Sequence, residues 1–447
     1  MIQRAITAPA WLTSGGIYQI NPRTFCEAGT IAAVTAELPY LASLGFGTIY
    51  LCPIFTEDAS ENRENWSSRQ KASETNNPKN PYRMNDYFHI DEEYGTMEEL
   101  AACVKECHRL GMRILLDLVY LHIGPNAAIL QIHPEFAKQN PDGSFINGPW
   151  NFPLLDFAHP GLREYLWCNM VYYIGVLDVD GFRCDVGDGV PVDFWAEGRR
   201  RIRTVKPDAL LINEGAKGET LLTGFDAIYG FSWHSCIHDI LTGKKPASAL
   251  QQDWERTHSQ YPAGSIILRD MDNHDTVTDW PGRVETLAGH RGMDLIQVLN
   301  YVMDGVPMVY CGNELCDETK LSMFANRFHP GKFRPTPRGD SMKNTSAAKR
   351  RQEILRTMNG LREKDALYRE GEIRFAEHDC PDTVAAFCRE YGERCIWFAG
   401  NFSDHTEEVT LPDYTGEVIL ADGAELLPDG RIRLEEKGYI LGNRDKK

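Results

Sequence analysis

Short apolar runs alternate with longer stretches of helical periodicity over roughly the first 366 residues. Eight of the runs have the length and composition of buried strands: 17–20, 48–52, 112–119, a run ending at Asp185, 209–212, 225–229, 265–268 and 306–310. Apolar residues three and four positions apart predict helices at 31–44, 96–110, 160–174, 192–205, 292–303 and 346–363. Eight strands, each followed by a helix or by a loop and then a helix, predict an α/β fold, the (β/α)8 TIM barrel.

The alternation changes at two places. Residues 122–158 are rich in proline and glycine and lack a period, which predicts a short, loop-rich excursion after the third strand. From about residue 368, short alternating runs are separated by turn residues, which is typical of an antiparallel β domain. We therefore predict a catalytic (β/α)8 barrel over 1–366, including the excursion, and a C-terminal β domain over 367–447.

Net charge and cysteine usage argue against some binding partners and indicate a cellular compartment. The net charge of −17 makes a nucleic acid or an anionic membrane an unfavourable partner, because the electrostatic interaction is repulsive. The 12 cysteines include no C-x-x-C pair, a usage typical of a reduced chain, and we expect no zinc site. No apolar run approaches the roughly 20 residues that span a membrane. The expected location is the cytoplasm, and the oligomeric state is left open.

Four acidic residues fall at or just past the ends of predicted strands. Asp117, Asp185, Glu214 and Asp275 follow the third, fourth, fifth and seventh strands. A barrel brings the C-terminal ends of all its strands to one rim, where active sites form, so these carboxylates are predicted to converge. One acid at a strand end is usually structural; four on one rim are harder to explain that way.

Basic and polar side chains accompany these acids. Arg183 and Asp185 are two apart in a strand and therefore face the same space, where the guanidinium lowers the pKa of the carboxyl group and keeps it ionised. His122 and His274 lie beside Asp117 and Asp275 in sequence, although a lone histidine is more often structural than functional. Converging carboxylates suit glycoside hydrolysis, which needs a pair of them flanking the scissile bond.

Taken together, these stretches resemble the motifs of the α-amylase family, glycoside hydrolase family 13, over nearly the whole chain. Residues 117–122 resemble its D-x-V-x-N-H motif, residues 181–185 match G-F-R-x-D, Glu214 resembles the strand-five glutamate, and residues 273–275 resemble the strand-seven H-D motif. Residues 17–20 and 80–87 resemble the first-strand and post-second-strand patterns.

The resemblance implies a role for each motif residue. Asp185 would be the nucleophile, Glu214 the general acid and then the base, and Asp275 a ligand of sugar hydroxyls that favours the distorted transition state. The remaining residues would bind substrate: Tyr82, Asp117, His122, Arg183 and His274. A retaining mechanism of this kind needs an acid whose pKa is raised, as neighbouring carboxylates would do for Glu214.

The chain departs from the family pattern in two motifs. Leu121 occupies the position of an asparagine that binds calcium in some members, and leucine offers no oxygen to a hard cation. We therefore expect no cofactor and no metal at that position, with calcium possible only elsewhere. The Lys-His pair that follows the nucleophile motif in many starch α-amylases is absent from residues 186–190, which argues against long starch as the substrate.

The resulting expectation is a retaining α-glycoside hydrolase that acts on α-1,4-linked glucans or malto-oligosaccharides. Two alternatives stay open. A transglycosylase, or an α-1,6-, sucrose- or trehalose-acting glucosidase of the same family, would use the same acids. A non-catalytic carbohydrate-binding relative is less favoured, because such relatives typically lose the three acids that this chain retains.

Overall fold

The computed structural model describes residues 3–411, 414 and 416–445. Its strands, in chain order, are β1 Ile17–Ile20, β2 Thr48–Leu51, β3 Phe55–Glu57, β4 Met84–Ile90, β5 Arg113–Leu118, β6 Gly181–Cys184, β7 Leu210–Asn213, β8 Ala227–Ile228, β9 Leu268–Arg269, β10 Val306–Tyr310, β11 Glu372–Phe375, β12 Val384–Tyr391, β13 Arg394–Asn401, β14 Glu407–Thr410, β15 Glu417–Leu426 and β16 Arg431–Asp445.

The α-helices are α1 Pro22–Phe25, α2 Ile31–Ser43, α3 Ser68–Ala72, α4 Met97–Arg109, α5 Ala128–Ile132, α6 Pro160–Gly175, α7 Val192–Val205, α8 Phe231–Leu241, α9 Ala249–Gln260, α10 Thr276–Asp279, α11 Val284–Val302, α12 Asp340–Lys343, α13 Ser346–Lys364 and α14 Leu367–Glu370. Thr96 and Glu99 form a capping box at the start of α4. Pro39 lies inside α2, which continues through it to Ser43.

Eight strands form the predicted barrel. They run parallel in the order β8-β7-β6-β5-β2-β1-β10-β9, and a parallel bridge between Ile228 and Ile267 joins the two ends of this sheet. Each of the eight predicted runs contains or overlaps one of these strands, so the (β/α)8 fold is confirmed. The pattern missed α8 and α9, and it missed the antiparallel hairpin β3–β4 that rises from the polar stretch after β2.

The interior of the barrel changes from apolar to polar along the strands. Ile17, Leu115 and Val306 belong to the apolar cluster inside the barrel. Two residues further along β1 and β5, on the same face, the side chains are Gln19 and Asp117, and both are buried. The C-terminal end of the barrel therefore buries polar groups, which must find partners within the protein.

The C-terminal strands form a separate antiparallel sheet, as predicted. Its order is β11-β12-β13-β16-β14, and β15 also pairs with β16. Phe387, Phe398 and Leu441 from this sheet share one buried cluster with Leu295 of α11, so the apolar core continues from the barrel into the sheet. The domain boundary at 366/367 stays a prediction.

The excursion at 122–158 is mostly irregular, as expected. It contains α5 and is held together by isolated bridges, including His122 with Leu154 and Gln139 with Phe145. No helix in the described part of the chain combines the length and apolar character that crossing a membrane requires.

One buried arginine joins the barrel to the C-terminal sheet, and its removal should destabilise the protein. Arg389 of β12 is 1% exposed and donates to four backbone oxygens, those of Val302, Met303, Tyr368 and Gly371. Arg389→Ala leaves these buried acceptors unpaired, so we expect the free energy of unfolding to fall by about 3 kcal/mol or more. Urea denaturation measures the change.

Arg433→Ala is the matched control in the same sheet. Its guanidinium forms exposed ion pairs with Glu408 and Glu425, which are worth at most about 1 kcal/mol. Equal losses for the two variants would contradict the joining role of Arg389.

Candidate active site

The acidic side chains reach one rim because of where their strands end. Asp117 is the penultimate residue of β5, Asp185 directly follows β6 and Glu214 directly follows β7. His274 and Asp275 lie in the turn between β9 and α10. The structure thus brings the predicted carboxylates to the C-terminal mouth of the barrel, where the sequence spacing placed them.

Arg183 is the central cation of this rim. Its Nη1 donates to Asp117, at 2.8 and 3.0 Å from the two carboxylate oxygens, and to Oδ1 of Asp185 at 2.9 Å. Its Nη2 lies 2.6 Å from Oε1 of Glu214. The side chain is 1% exposed. Arg183 therefore brings one buried positive charge to three carboxylates, and one charge cannot neutralise three.

Asp117 anchors a chain of hydrogen bonds along the barrel wall. Tyr50 donates to its Oδ2 at 2.6 Å and Tyr82 donates to the same atom at 3.2 Å. The Tyr82 hydroxyl is also 2.6 Å from Nε2 of His274, whose Nδ1 lies 2.9 Å from Nε2 of Gln19. Because the amide nitrogen can only donate, the assigned arrangement makes Nδ1 the acceptor and Nε2 the N–H donor to Tyr82. Burial lowers the pKa of His274, which agrees with a neutral ring.

Asp275 is held in its ionised form. Arg69 of α3 donates to its Oδ1 at 2.8 Å and pairs with Asp279 as well. Burial opposes ionisation, but His274 and Arg69 outweigh it, and the pKa of Asp275 is lowered to about 2. Arg69 was missed from the sequence, because the polar stretch that contains it carries no periodic or motif signal.

Asp185 and Glu214 are affected in the opposite direction. Burial and the Asp275 charge raise the pKa of Glu214 to about 7, despite the opposing charge of Arg183. Burial and the Glu214 charge raise the pKa of Asp185, again against Arg183. Glu214 is therefore a carboxyl group that can carry a proton near neutral pH, and its charge, when ionised, opposes ionisation of Asp185.

The backbone after Asp185 orients Glu214. The N–H of Val186 donates to Oε2 of Glu214 at 2.8 Å. Val186 has a φ of 43°, in the left-handed region that a β-branched residue rarely adopts. The hydrogen bond ties the residue after β6 to the carboxylate after β7, and no sequence signal indicated it.

These groups line a cleft with an empty volume of about 450 Å3. His122 donates from Nε2 to the backbone oxygen of Tyr82 at 2.9 Å, and its ring packs against Trp150 and Phe152 of the excursion. All four residues line the cleft. Trp233 of α8, by contrast, is a core residue whose indole N–H donates to the side-chain oxygen of Asn300.

The position of Leu121 does not fit a calcium site. Its side chain lies against Gly189, where an added Cβ would come within 3.0 Å of it, and it presents only carbon. A hard cation needs oxygen ligands, so these residues do not fit the ion. Among the residues that the structure describes, two clusters of metal-binding residue types lie outside the cleft, Glu285 with His290 and Cys316, and Cys388 with Glu390 and Cys395. In each, an arginine already pairs with the carboxylate.

The raised pKa of Glu214 should appear in the pH dependence of stability. A carboxyl group with a pKa near 7 when folded and about 4.3 when unfolded stabilises the fold at low pH and loses this contribution as the pH rises through 7. We expect the free energy of unfolding of Glu214→Gln to fall less between pH 5 and pH 8 than that of the parent, by on the order of 2 kcal/mol.

Urea denaturation at the two pH values makes the measurement. Glu219→Gln, an exposed glutamate in the same loop, is the control and should keep the parent slope. Parallel pH profiles for the parent and Glu214→Gln would contradict the raised pKa.

Comparisons with known proteins agree with this geometry. Residues 15–149 match the family model of the α-amylase catalytic domain. A cyclomaltodextrinase from a Bacillus species is 28% identical over 69% of this chain and 60% of its own length. Neopullulanase 2 from Thermoactinomyces vulgaris is 25% identical over 93% of this chain and 74% of its own. The chain thus spans about three fifths of the length of the first of these curated relatives.

Solved structures agree in fold. A maltogenic α-amylase, AmyB from Thermotoga neapolitana, superimposes with a TM-score of 0.77 at 24% identity, covering 98% of both chains. An α-amylase from Lactobacillus plantarum gives 0.78 at 22% identity, covering 97% of this chain and 99% of that one. The family model, the relatives and the four motifs at the barrel rim together support membership of the α-amylase family, glycoside hydrolase family 13.

Proposed function

We propose that this protein is a retaining α-glycoside hydrolase that acts on α-1,4-linked glucans or malto-oligosaccharides. The observation that carries the proposal is the contact of Asp185 and Glu214 with one guanidinium, beside an ionised Asp275, in a single cleft. The names of the relatives, cyclomaltodextrinase, neopullulanase and maltogenic α-amylase, support α-glucans as the substrate class.

In the first step, Asp185 attacks the anomeric carbon while Glu214 gives its proton to the leaving oxygen. The bond from carbon to that oxygen breaks as the bond to Asp185 forms. Among the described residues, Oδ2 of Asp185 has no hydrogen-bond partner, so this oxygen is free to attack. Protonation of Glu214 also removes one of the influences that raise the pKa of Asp185, and Arg183 favours the ionised form of this nucleophile.

In the second step, water replaces the leaving group. Glu214, now ionised, takes a proton from the water as its oxygen attacks the anomeric carbon, and the bond to Asp185 breaks. Two displacements restore the α configuration. A pKa near 7 suits Glu214 for both roles, because it exchanges a proton readily at neutral pH.

The surrounding groups bind the sugar. Asp275 is an ionised acceptor for sugar hydroxyls, and His122 lines the same cleft, while the buried His274 acts through its contact with the Tyr82 hydroxyl. Tyr82 lies across the cleft as a ring on which a sugar can stack, and its hydroxyl is fixed by His274 and Asp117. Asp117 itself contacts Arg183 and two tyrosines, so we assign it to positioning the cation.

Two further proposals concern the surroundings of the enzyme. We propose that no calcium binds at Leu121, since its side chain offers carbon alone. We also propose a reducing compartment, the cytoplasm, because all 12 cysteines are free thiols and nine of them are buried.

The nucleophile is tested by Asp185→Asn on maltoheptaose. An amide cannot form the glycosyl-enzyme, so we expect the rate to fall by about 10⁴-fold or more. Mass-resolved products over time give the rate, and Asp193→Asn, an exposed aspartate on α7, should retain activity. Unaltered hydrolysis by Asp185→Asn would refute the assignment, and products longer than the substrate would indicate transfer to a sugar in place of water.

The acid is tested by the pH profile and by the leaving group. We expect the rate on maltoheptaose to fall as the pH rises through 7, because Glu214 must be protonated, and to fall by about 10²–10⁴-fold in Glu214→Gln. With a dinitrophenyl α-maltoside, whose leaving group needs no proton, the loss in the variant should be much smaller. An equal loss on both substrates would exclude Glu214 as the acid.

A further inference from the structure

An ion-paired arginine closes one side of the cleft. Arg69 comes from α3, in the segment between β3 and β4, and its guanidinium is 2.8 Å from Asp275 and 3.0 Å from Asp279. Its side chain is 29% exposed and lines the cleft beside Tyr82 and Asn80. The pairing links a segment that follows β2 to the turn that follows β9.

The order of the strands in the barrel shows which part of the barrel mouth the Arg69 pairing spans. In the sheet, β2 and β9 are separated by β1 and β10, so the Arg69 pairing crosses the barrel mouth above these two strands. The loop after β10 packs beneath this pairing. The Phe324 ring lies under the Arg69 guanidinium, and Met323 also lines the cleft. Three loops therefore form one continuous wall.

Hydrogen bonds fix this wall in place. Asn77 donates from its side chain to the backbone oxygen of Phe324 at 2.9 Å, which joins the β2 segment to the β10 loop. Lys320 donates to the backbone oxygens of Val277, Thr278 and Trp280, which joins the β10 loop to the β9 turn. Arg69 completes the third side, so each of the three loops is tied to the other two.

The acid Glu214 lies outside this wall. It directly follows β7, whereas the wall is formed by residues that follow β2, β9 and β10. The residues that line the rest of the cleft follow β5, β6 and β7, and in the described part of the chain none follows β1 or β8. The wall therefore bounds the cleft on the side of Arg69, and Glu214 lies beyond it.

We propose that Arg69 determines specificity by closing the end of the cleft that holds the non-reducing end of the glucan, so that the enzyme cuts a short piece of fixed length from that end. This inference rests on the proposed function. The acid Glu214 must face the leaving group, which therefore lies on the side away from the wall, whereas the sugar transferred to Asp185 lies against Tyr82 and Asp275, on the closed side. A longer non-reducing portion would have to displace the Arg69 pairing.

The pairing also constrains how Asp275 can bind a sugar. One of its oxygens, Oδ1, already accepts from Arg69, so a sugar hydroxyl can donate freely only to the other oxygen. The N–H groups of Arg69 can in turn donate to sugar oxygens. The wall thus supplies both an acceptor and donors to the terminal sugar, as recognition of a chain end requires.

The experiment uses p-nitrophenyl maltoheptaoside, which carries its label at the reducing end. We expect the parent protein to release one unlabelled product of a single short length at early times, while the label stays on the long fragment. Arg69→Ala opens the wall, and we expect it to release unlabelled products of several lengths from the first time points. Mass spectrometry of the early products measures both.

Two further variants separate this role from a general effect on folding. Asp279→Ala removes one partner of Arg69 without touching Asp275 and should broaden the products in the same direction. Arg63→Ala is the matched control, since this arginine of the same segment contacts Asn76 and Trp66 and not the acids, and it should keep the single product.

The outcomes distinguish the inference from the proposed function. A parent protein that hydrolyses the substrate but yields several unlabelled lengths at once, or an Arg69→Ala variant that keeps a single length, would overturn the inference while the hydrolase proposal stands. A parent protein without activity on any α-glucan would overturn the proposed function itself.

Discussion

The buried guanidinium of Arg183 is the interaction on which the site depends. Asp117, Asp185 and Glu214 surround it, and carboxylates removed from water are costly unless a cation compensates them. Burial and mutual repulsion raise the pKa of both Asp185 and Glu214 although Arg183 opposes this. A proton carried by Glu214 near neutral pH is what the proposed chemistry would use.

The barrel supplies the geometry that this charge arrangement needs. Parallel strands end at one rim, so a residue in β6 and residues after β7 and β9 meet although they are far apart in sequence. Side chains two residues apart in a strand point to the same face. The inner face that is apolar at Ile17 and Leu115 is therefore polar at Gln19 and Asp117, nearer the rim. The inner face of the barrel thus packs through apolar side chains near the start of the strands and through hydrogen-bonded polar side chains near their C-terminal ends.

The sequence predicted the parts of this structure that have a local signature. Strands such as β1 and β10 are apolar runs bounded by glycine or by polar residues, and the capping pattern at Thr96 marks the start of α4. The motif residues of the rim were expected to converge, and they do lie together. Their catalytic roles are proposed from the chemistry of the groups that meet at the rim.

The missed features depend on contacts between distant segments. Arg69 has no motif, and its importance arises only when the barrel brings Asp275 to it. Gln19 and Tyr50 look like ordinary strand residues until His274 and Asp117 meet them. The helices α8 and α9 carry weaker apolar patterns than the strands around them, and tertiary packing determines their extent.

The left-handed backbone at Val186 has a consequence for how this site can change. A β-branched residue in that conformation costs on the order of 1–2 kcal/mol, which a glycine would recover. The same conformation aims the Val186 N–H at Glu214. The stability of the chain and the orientation of the Glu214 side chain therefore make opposite demands on this one peptide unit. A substitution that relaxes the backbone at Val186 would stabilise the folded chain but hold the Glu214 carboxylate less rigidly.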